Sequence, residues 1–396
     1  MKTPRAYPDR DVQDSLQAFS SSIAGLLSSR AVLSSVGVGD SSASPTAALL
    51  LSIVQESAGR VATIVFAWRF GTSLEPECKM YRLLADILND FAFVLDCLSP
   101  AFPKSVRVLI LSFSSVLRAL CGVAAGSAKA SLSAHFARWG NLGELNAKDS
   151  SQETVISLMG MLVGSLVVQW ITSPIATWTT LIFLLSVHLE MNRRAVRAVS
   201  VRSLNRQRAN LVYHSLRRGH VPSPEEVSSQ ERIFERPGVL RAADDRVLGY
   251  CTFGASLSSY FRTISPPNSS TGSTKLPGSV LQKLLHPFGD KKYVLWYDPI
   301  SLSKQVHVHI CLKQDASQSD QLAGWWHALA LAEASMRDIY AVDEKAESSS
   351  LLDRTMDDVS GLMARNAKAL EDAGWDLSTA ALETGSNTRL AVRSEP

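Results

Sequence analysis

One predicted helix, Lys79–Leu98, carries a group of polar side chains along a single face. That face holds Arg82, Asp86, Asn89 and Asp90. Because these residues are three or four positions apart, they lie one above another on a helix. Inside an apolar bundle, two carboxylates and a guanidinium would require partners or a function. On a soluble surface they would form a solvated face with a weak Arg82–Asp86 pair. Both alternatives remain open from the sequence.

A second cation, Arg118, interrupts an apolar segment over Val106–Ala128. It could pair with an acid on another helix, and the candidate acids are Glu56, Asp86 and Asp90. Alternatively, the segment is a soluble amphipathic helix with Arg118 exposed. Gly122 and Gly126 lie on the same segment in a Gly-x-x-x-Gly spacing, which permits close approach of helices in a bilayer.

A polar connection over residues 135–153 is a candidate anion site. A helix predicted to begin near Ser151 would present free backbone N–H groups and a partial positive charge. Lys148 and Arg138 would add full charges, so an anion such as a phosphate group could bind there. The competing interpretation is helix capping by the segment Asp149-Ser150-Ser151-Gln152.

Motifs for catalysis and for metal binding are not found in the sequence. It contains no glycine-rich nucleotide loop, nucleophile elbow or zinc signature, so we predict no catalytic residue and no enzymatic activity. His307 and His309 share one face of a predicted strand, but a third ligand is not identifiable, so no metal site is predicted. The five cysteines have neither metal-ligand nor redox spacing and are expected to be reduced thiols.

The elements that must position these residues are predicted to be apolar helices. They cover Asp14–Ser35, Thr46–Phe70, Lys79–Leu98, Val106–Ala128 and Thr154–Glu190, the last interrupted at Pro174. Val155–Ile171 and Ile175–Leu189 contain no Asp, Glu, Lys or Arg. Each is close to or below the minimum of about 17 residues for a bilayer span. They form either a helix pair buried in a soluble core or a membrane hairpin.

Basic residues after this pair favour the hairpin, with both of its ends on the cytosolic side. Residues 192–218 contain eight Arg and no acid, which is typical of the positive-inside pattern. Tyr213 is the only aromatic residue of the run, so lipid phosphates or a solvated helix face are better interpretations than nucleic acid. We therefore predict an integral membrane protein with membrane lipid as a partner.

The charge distribution and the helix breakers indicate a change of domain. Residues 1–220 have a net charge of +8 and the remainder −5, and Gly219–Pro224 breaks any helix between them. The predicted fold is mainly α. It has an N-terminal multi-helix, membrane-associated domain over residues 12–218 and a small α+β domain over 223–345. Residues 265–279 form a low-complexity loop, and residues 346–396 form an amphipathic helix with a polar tail.

Four long stretches of the sequence resemble the root UVB sensitive family, linked to vitamin B6 photoprotection and homeostasis. They are AGLLSSRAVLSSVGVGDSSASPTAALL (24–50), YRLLADILNDFAFVLDCLSP (81–100), LCGVAAGSAKASLSAHFARWGNLGELNAKDSSQETVISLMGMLVG (120–164) and NRRAVRAVSVRSLNRQRANL (192–211). The resemblance implies a mostly helical membrane-associated protein that acts with another member of the family. The family has no established catalytic residues, so none is transferred to this chain.

Three functional hypotheses follow from the residues and the resemblance. The first is a non-enzymatic, transporter-like or scaffold component of vitamin B6 homeostasis. The second is a soluble or peripheral pyridoxal-phosphate-binding protein or enzyme, for which Lys148 is the best Schiff-base candidate. The third is a membrane-tethered module whose α+β domain binds a protein partner. We predict no cofactor, and only the second hypothesis would require pyridoxal phosphate.

Overall fold

A computed structural model describes residues 6–37, 44–137, 140–264, 278–298, 305–340, 348–383 and 388–391. It divides into two compact units, Met1–Val199 and Ser200–Pro396. The division lies about 20 residues before the predicted boundary at Gly219–Pro224. The intervening helix belongs to the second unit because its buried face packs against that unit's sheet and helices. The predicted order, a helical region followed by a small sheet-containing region, is confirmed.

The first unit, called the helical unit, is built from long helices. They are α1 (Ala6–Val36), α2 (Pro45–Phe70), α3 (Cys78–Leu98), α4 (Lys104–Phe136), α5 (Leu142–Trp170) and α6 (Pro174–Ala198). Serine followed by proline starts α2 and α6, and the oxygens of Ser44 and Ser173 accept hydrogen bonds from the N–H groups of Ala47 and Ala176. This is the expected chemistry of a helix start, because proline in the first turn needs no N–H partner.

Helix α1 is the centre of the packing in the helical unit. It contacts α3, α5 and α6, whereas α3 and α2 both pack against α4. Among the described residues, α5 and α6 pack against α1 rather than against each other. Arg30 of α1 fixes the turn between them by donating to the carbonyl oxygens of Val168 at 2.8 Å and Ile171 at 2.7 Å. The chain thus reverses near Pro174 as predicted, but α1 mediates the packing of the two predicted hairpin helices.

A glycine pair allows α5 to approach α1 closely, and it is not the pair that the sequence suggested. A Cβ atom on Gly160 would lie 2.7 Å from the Cβ of Ser22 and 2.9 Å from the carbonyl oxygen of Phe19. A Cβ on Gly164 would lie 2.8 Å from a methyl group of Leu26. By contrast, Gly122 and Gly126 have open space where a Cβ would be. The Gly-x-x-x-Gly contact of this bundle is therefore at 160 and 164.

Gly160→Ala is expected to destabilise the helical unit, whereas Gly126→Ala is not. The added methyl group at 160 would overlap the backbone of α1, and overpacking of this kind costs about 1–3 kcal/mol. The same substitution at 126 enters open space and gains helix propensity. Thermal unfolding of the detergent-solubilised protein should show a lower midpoint for Gly160→Ala only. Equal midpoints for the two variants would contradict this packing.

Four helices of the helical unit are long and apolar enough to span a membrane, namely α2, α4, α5 and α6. Their outer faces expose large apolar side chains, including Ile64, Trp68, Leu109, Leu162, Trp170, Ile175 and Phe183. Soluble proteins rarely expose apolar patches of this extent. Helices α1 and α3, which carry more polar side chains, are not among the four. The distribution of exposed apolar residues thus fits membrane association of the bundle.

The second unit, called the α+β unit, mixes short strands with helices. Its elements are α7 (Arg206–Arg217), α8 (Pro224–Gln230), β1 (Val239–Arg241), β2 (Val247–Phe253), α9 (Leu257–Ile264), α10 (Gly278–Leu285), β3 (Tyr293–Asp298), β4 (Val306–Lys313), α11 (Gln318–Tyr340), α12 (Ser348–Asp372) and β5 (Arg389–Leu390). The strand order is β1-β2-β4-β3, with β5 on β4. Strands β3 and β4 are antiparallel, and β2 and β4 are parallel. Most of the predicted loop, residues 265–277, lies outside the described residues, and α10 begins at Gly278.

Two adjacent tryptophans of α11 form the centre of the core of the α+β unit. Trp325 and Trp326 are fully buried. Their indole N–H groups donate to the Asn210 side chain at 2.8 Å and to the Ala209 carbonyl oxygen at 2.9 Å, both on α7. Burial of such large aromatic groups with satisfied N–H donors is a major source of stability. These bonds place α7, and therefore part of the arginine-rich run, inside this unit.

The arginine-rich run is not a continuous basic surface. Arg208 is buried, and its Nη1 atom lies 2.6 Å from Oε1 of Glu231. Arg206 donates to the Leu382 carbonyl oxygen at 2.8 Å. At the end of α6, Arg193 and Arg194 both pair with Glu190. The prediction of a solvated or lipid-binding run is therefore wrong for Arg208, whose guanidinium lies in a buried ion pair, whereas Arg217 at the end of α7 is exposed.

Two histidines of β4 have aromatic neighbours in the sheet. The ring of His309 stacks on Trp296 with centroids 5.3 Å apart, and His307 stacks on Tyr250 at 5.8 Å. Both partners are on the strands next to β4, so the imidazoles take part in cross-strand aromatic pairs.

A third histidine, His327 of α11, should make the α+β unit sensitive to acid. It is fully buried, with Nδ1 3.0 Å from the Tyr293 hydroxyl and Nε2 3.1 Å from the Thr355 hydroxyl. Burial lowers the pKa of His327 to about 4, against about 6.5 in an unfolded chain. Between these values the unfolded state binds more protons, so stability is complete above pH 6.5 and falls as the pH drops.

Lowering the pH from 7.5 to 5 is expected to remove about 2 kcal/mol of stability through His327. His327→Gln should lose much less over the same interval, because glutamine keeps hydrogen-bonding atoms but does not titrate. Urea unfolding of the full chain, followed by tryptophan fluorescence at both pH values, measures the difference. Identical pH dependence in the two proteins would exclude His327 as the titrating group.

Candidate functional site

A line of buried polar side chains runs between α1 and α3 through the helical unit. Gln17 donates to Asp86, Ser28 donates to Asp96 at 2.6 Å, and Ser35 and Ser99 share a hydrogen bond of 2.6 Å. Residue numbers on α1 and α3 increase together along these contacts, so the two helices are parallel. We call these six side chains, together with Asp90 of α3, the polar seam. From Asp86 to Ser99 it extends about 20 Å at the helical rise.

At one end of the polar seam, an imidazole lies between two carboxylates. His188 of α6 has Nδ1 2.8 Å from Oδ1 of Asp90 and Nε2 3.5 Å from Oδ2 of Asp86. The exposed fractions are 2% for His188, 6% for Asp86 and 4% for Asp90. We call these three residues the acidic triad. Three titratable groups this deeply buried are costly unless they compensate one another.

Polar groups from the same helices surround the acidic triad. Gln17 contacts Asp86 through its amide nitrogen and accepts a hydrogen bond of 3.3 Å from Arg82 through its oxygen. Asn192 of α6 donates to the backbone carbonyl of Arg82 at 3.3 Å. The amide of Gln17 therefore links a guanidinium to a carboxylate, and α1, α3 and α6 all contribute to the site.

A second charged group lies further along the polar seam. Arg118 of α4 forms an ion pair with Asp96, and it donates to Ser28 at 3.0 Å. The Asp96 side chain is 1% exposed and that of Arg118 is 40% exposed. The predicted partners of Arg118 were Glu56, Asp86 and Asp90, so this assignment is corrected. Asp96 lies on the same helix as two of those acids, but it is the one that faces α4 at the height of Arg118.

An apolar layer separates the two charged groups. Phe93 of α3 packs with Ile23, Ala24 and Leu27 of α1, and α6 contributes Leu181, Leu184 and Leu185. The guanidinium of Arg118 lies over the Phe93 ring, 5.6 Å from its centroid. This layer lies between the acidic triad and Asp96 along α1 and α3.

Several buried polar atoms at the acidic triad lack an aligned hydrogen bond. Within the part of the chain that the structure describes, these are both carboxylate oxygens of Asp90, Nδ1 of His188 and Oδ1 of Asn192. The contact between Asp90 and His188 is short, but it does not have hydrogen-bond geometry. Buried polar atoms without such bonds are uncommon and often indicate a functional site. Their concentration around Asp90 makes the acidic triad the strongest candidate site.

The structure brings some of the predicted site residues together. Asp86 and Asp90 are buried and Arg82 lies beside them, so the alternative of a solvated face is excluded for the two carboxylates. Asn89 is half-buried on the same helix. Ile87 and Phe91, on the apolar face of α3, are exposed. The helix is oriented with its acids inward, because its polar face meets Gln17 and His188.

Lys148 does not join this cluster. Helix α5 begins at Leu142, so the backbone amides of residues 148–153 already lie within the helix, and the predicted helix start near Ser151 is wrong. Lys148 is exposed and lies 2.5 Å from Glu144, one turn earlier. Asp149 and Glu153 pair with Lys129 of α4. Arg138 lies outside the described residues.

Four residues of the site were missed by the sequence analysis: Gln17, Asp96, His188 and Asn192. A signal did exist for His188, because it is the only titratable side chain in the otherwise uncharged segment Ile175–Leu189. An ionisable residue in such a segment is a functional candidate by default. Gln17 and Asn192 carry no comparable signal, because single amides are common on helices.

These features define a class of protein: a bundle of apolar helices enclosing a polar seam, followed by a separate α+β unit. Residues 7–219 match the model of the vitamin B6 photo-protection and homoeostasis domain. The chain therefore belongs to the root UVB sensitive (RUS) family.

Two relatives illustrate the extent of the similarity. The chain is 41% identical over 244 residues to RUS family member 1 of Dictyostelium discoideum, covering 58% of this chain and 46% of the relative. It is 32% identical over 330 residues to protein root UVB sensitive 3 of Arabidopsis thaliana, covering 82% and 71%. The chain thus spans less than half the length of the first relative. No solved structure matches the chain.

Proposed function

We propose that this protein is a non-enzymatic, membrane-embedded component of vitamin B6 homeostasis that moves a B6-type metabolite past the acidic triad. The observation that carries the proposal is the buried acidic triad within a bundle whose outer helices are apolar. Charged residues facing the interior of a membrane bundle typically form substrate or ion pathways. In a purely structural bundle, apolar side chains would fill the same space at lower cost.

Membership of the RUS family supports the choice of metabolite, since the matching family model describes a vitamin B6 photo-protection and homoeostasis domain. Lipid around α2, α4, α5 and α6 is the partner that their exposed apolar faces favour. The cytosolic placement of both ends of the α5–α6 segment, and pairing with another family member, remain predictions. The alternative of a pyridoxal-phosphate enzyme is not favoured by Lys148, because an exposed lysine paired with Glu144 lacks the enclosed site of a Schiff base.

Uptake by reconstituted liposomes tests this function. Purified protein should accumulate radiolabelled pyridoxine or pyridoxal above protein-free liposomes. Asp86→Asn and Asp90→Asn should lower the initial rate at least about tenfold, because each removes a charge from the buried site. Glu56→Gln is the matched control, since it removes the charge of an exposed acid on α2.

Two outcomes would contradict the proposal. One is uptake no faster than in protein-free liposomes for each B6 vitamer tried. The other is uptake that Asp86→Asn and Asp90→Asn leave at the level of Glu56→Gln. The latter would show that solute does not pass the acidic triad.

A further inference from the structure

The arrangement of the acidic triad requires an additional proton. Both ring nitrogens of His188 face carboxylate oxygens, at 2.8 Å and 3.5 Å. A neutral imidazole has one N–H group and one lone pair, so one nitrogen would point its lone pair at an anion. With His188 as imidazolium, both nitrogens carry hydrogen and both contacts become attractive.

The charges around His188 lead to the same conclusion. On α3 the facing charged groups are Arg82, Asp86 and Asp90, and on α1 the facing side chain is the neutral amide of Gln17. On α6 itself, Asn192 is neutral, and on α4 the nearby titratable group is the thiol of Cys121. Two carboxylates and one guanidinium leave one negative charge, which a proton on His188 cancels. A neutral cluster costs far less to bury than a charged one.

We propose that Asp86, His188 and Asp90 form a proton-binding site, through which solute movement by this protein is coupled to the transfer of one proton. This inference rests on the proposed function, because it supplies the driving ion for that transport. On release of the proton, the N–H bond of the His188 imidazolium breaks, water takes up the proton, and a neutral imidazole remains.

The charge balance of the acidic triad gives the coupling its physical basis. When the proton leaves, the cluster formed with Arg82 carries one uncompensated negative charge, which a positively charged group of the solute or a new proton must balance. Proton binding and solute binding therefore compete for the same buried carboxylates.

Nitrogen-15 NMR on the wild-type protein tests the proton-binding site without depending on transport. The chain has eight histidines, and ¹⁵N-histidine-labelled protein in nanodiscs at pH 7.5 should show an imidazolium signal that His188→Gln removes. Asp90→Asn provides a second assignment by shifting the same signal. If each imidazole of the wild type is neutral at pH 7.5, the proton-binding site is excluded.

Liposomes with an imposed pH gradient test the coupling. Wild-type accumulation of radiolabelled pyridoxine should rise with the gradient and collapse when an ionophore abolishes it. Asp90→Asn, which removes one of the two carboxylates, should show no such gradient-dependent accumulation. Wild-type uptake that does not depend on the pH gradient would contradict the coupling, whereas the proposed function would still hold. Absence of any uptake would refute the proposed function and the coupling with it, and the NMR result would then concern the proton site alone.

Discussion

Glu231→Gln is expected to destabilise the α+β unit by about 3–5 kcal/mol, the largest effect predicted for this unit. The side chains of Arg208 and Glu231 are 2% and 5% exposed, and their charged atoms lie 2.6 Å apart. The substitution keeps the shape of the side chain but removes the negative charge. The guanidinium of Arg208 would stay buried and lose its ion pair with Glu231, and the loss of this buried ion pair is the reason for the cost.

Urea unfolding followed by tryptophan fluorescence measures the effect, because Trp325 and Trp326 are in the core of this unit. The matched control is Asp244→Asn, which removes the acid from the exposed pair with Arg246. That change should alter stability by less than about 1 kcal/mol. The double variant Arg208→Met/Glu231→Gln should recover part of the loss, since no buried charge remains. If Glu231→Gln behaves like Asp244→Asn, the ion pair does not contribute as the geometry indicates.

Arg118→Leu should destabilise the helical unit by about 3 kcal/mol, the lower end of the range for breaking a buried pair. The lower end applies because Arg118 is partly exposed whereas the Asp96 side chain is 1% exposed. Without the guanidinium, Asp96 would keep the hydroxyl of Ser28 as donor but would lose its counter-ion. The aspartate would be protonated or the helices would separate locally, and both responses lower the free energy of unfolding.

Arg60→Leu is the control for this substitution in the same unit. Arg60 pairs with Glu56 one turn earlier on α2, and both side chains are mostly exposed. The expected change is below about 1 kcal/mol. Thermal unfolding in detergent should therefore separate the two variants clearly. Asp96→Asn combined with Arg118→Leu should be more stable than Arg118→Leu alone, and the opposite order would show that charge burial is not the cause.

Buried charged side chains are accommodated in the bundle because α1 supplies polar partners for them. Three side chains of α1 form hydrogen bonds with partners on or just after α3. Gln17 bonds to Asp86, Ser28 to Asp96 and Ser35 to Ser99. Serine and glutamine on a central helix thus take the place of water for buried polar groups, which would otherwise remain unpaired. When His188 is protonated, the acidic triad together with Arg82 has a net charge close to zero, and so does the pair of Arg118 and Asp96. The cost of burying them therefore falls mainly on Asp90, whose oxygens lack aligned hydrogen bonds.

Local sequence patterns determined the helices and much of the fold. Proline after serine at 44–45 and 173–174 starts α2 and α6, and Ser223 and Glu226 form a capping box at the start of α8. Helix α3 agrees with its predicted range, Lys79–Leu98, to within one residue. These signals are local, because capping and side-chain periodicity act within one or two turns of a helix. The resemblance to the root UVB sensitive family could also be recognised from four stretches of the sequence.

Tertiary structure alone decided which polar residues meet. The spacing of Asp86 and Asp90 predicted one face, but whether that face met water or His188 depended on α1 and α6, which are distant in the chain. The pairing of Arg118 with Asp96 and of Arg208 with Glu231 depended in the same way on how separate elements pack. Likewise, Gly160 rather than Gly126 makes the close helix contact because α1 lies against α5 there. Periodicity identifies the face of a helix, whereas the partner of that face is fixed by long-range packing that no local pattern encodes.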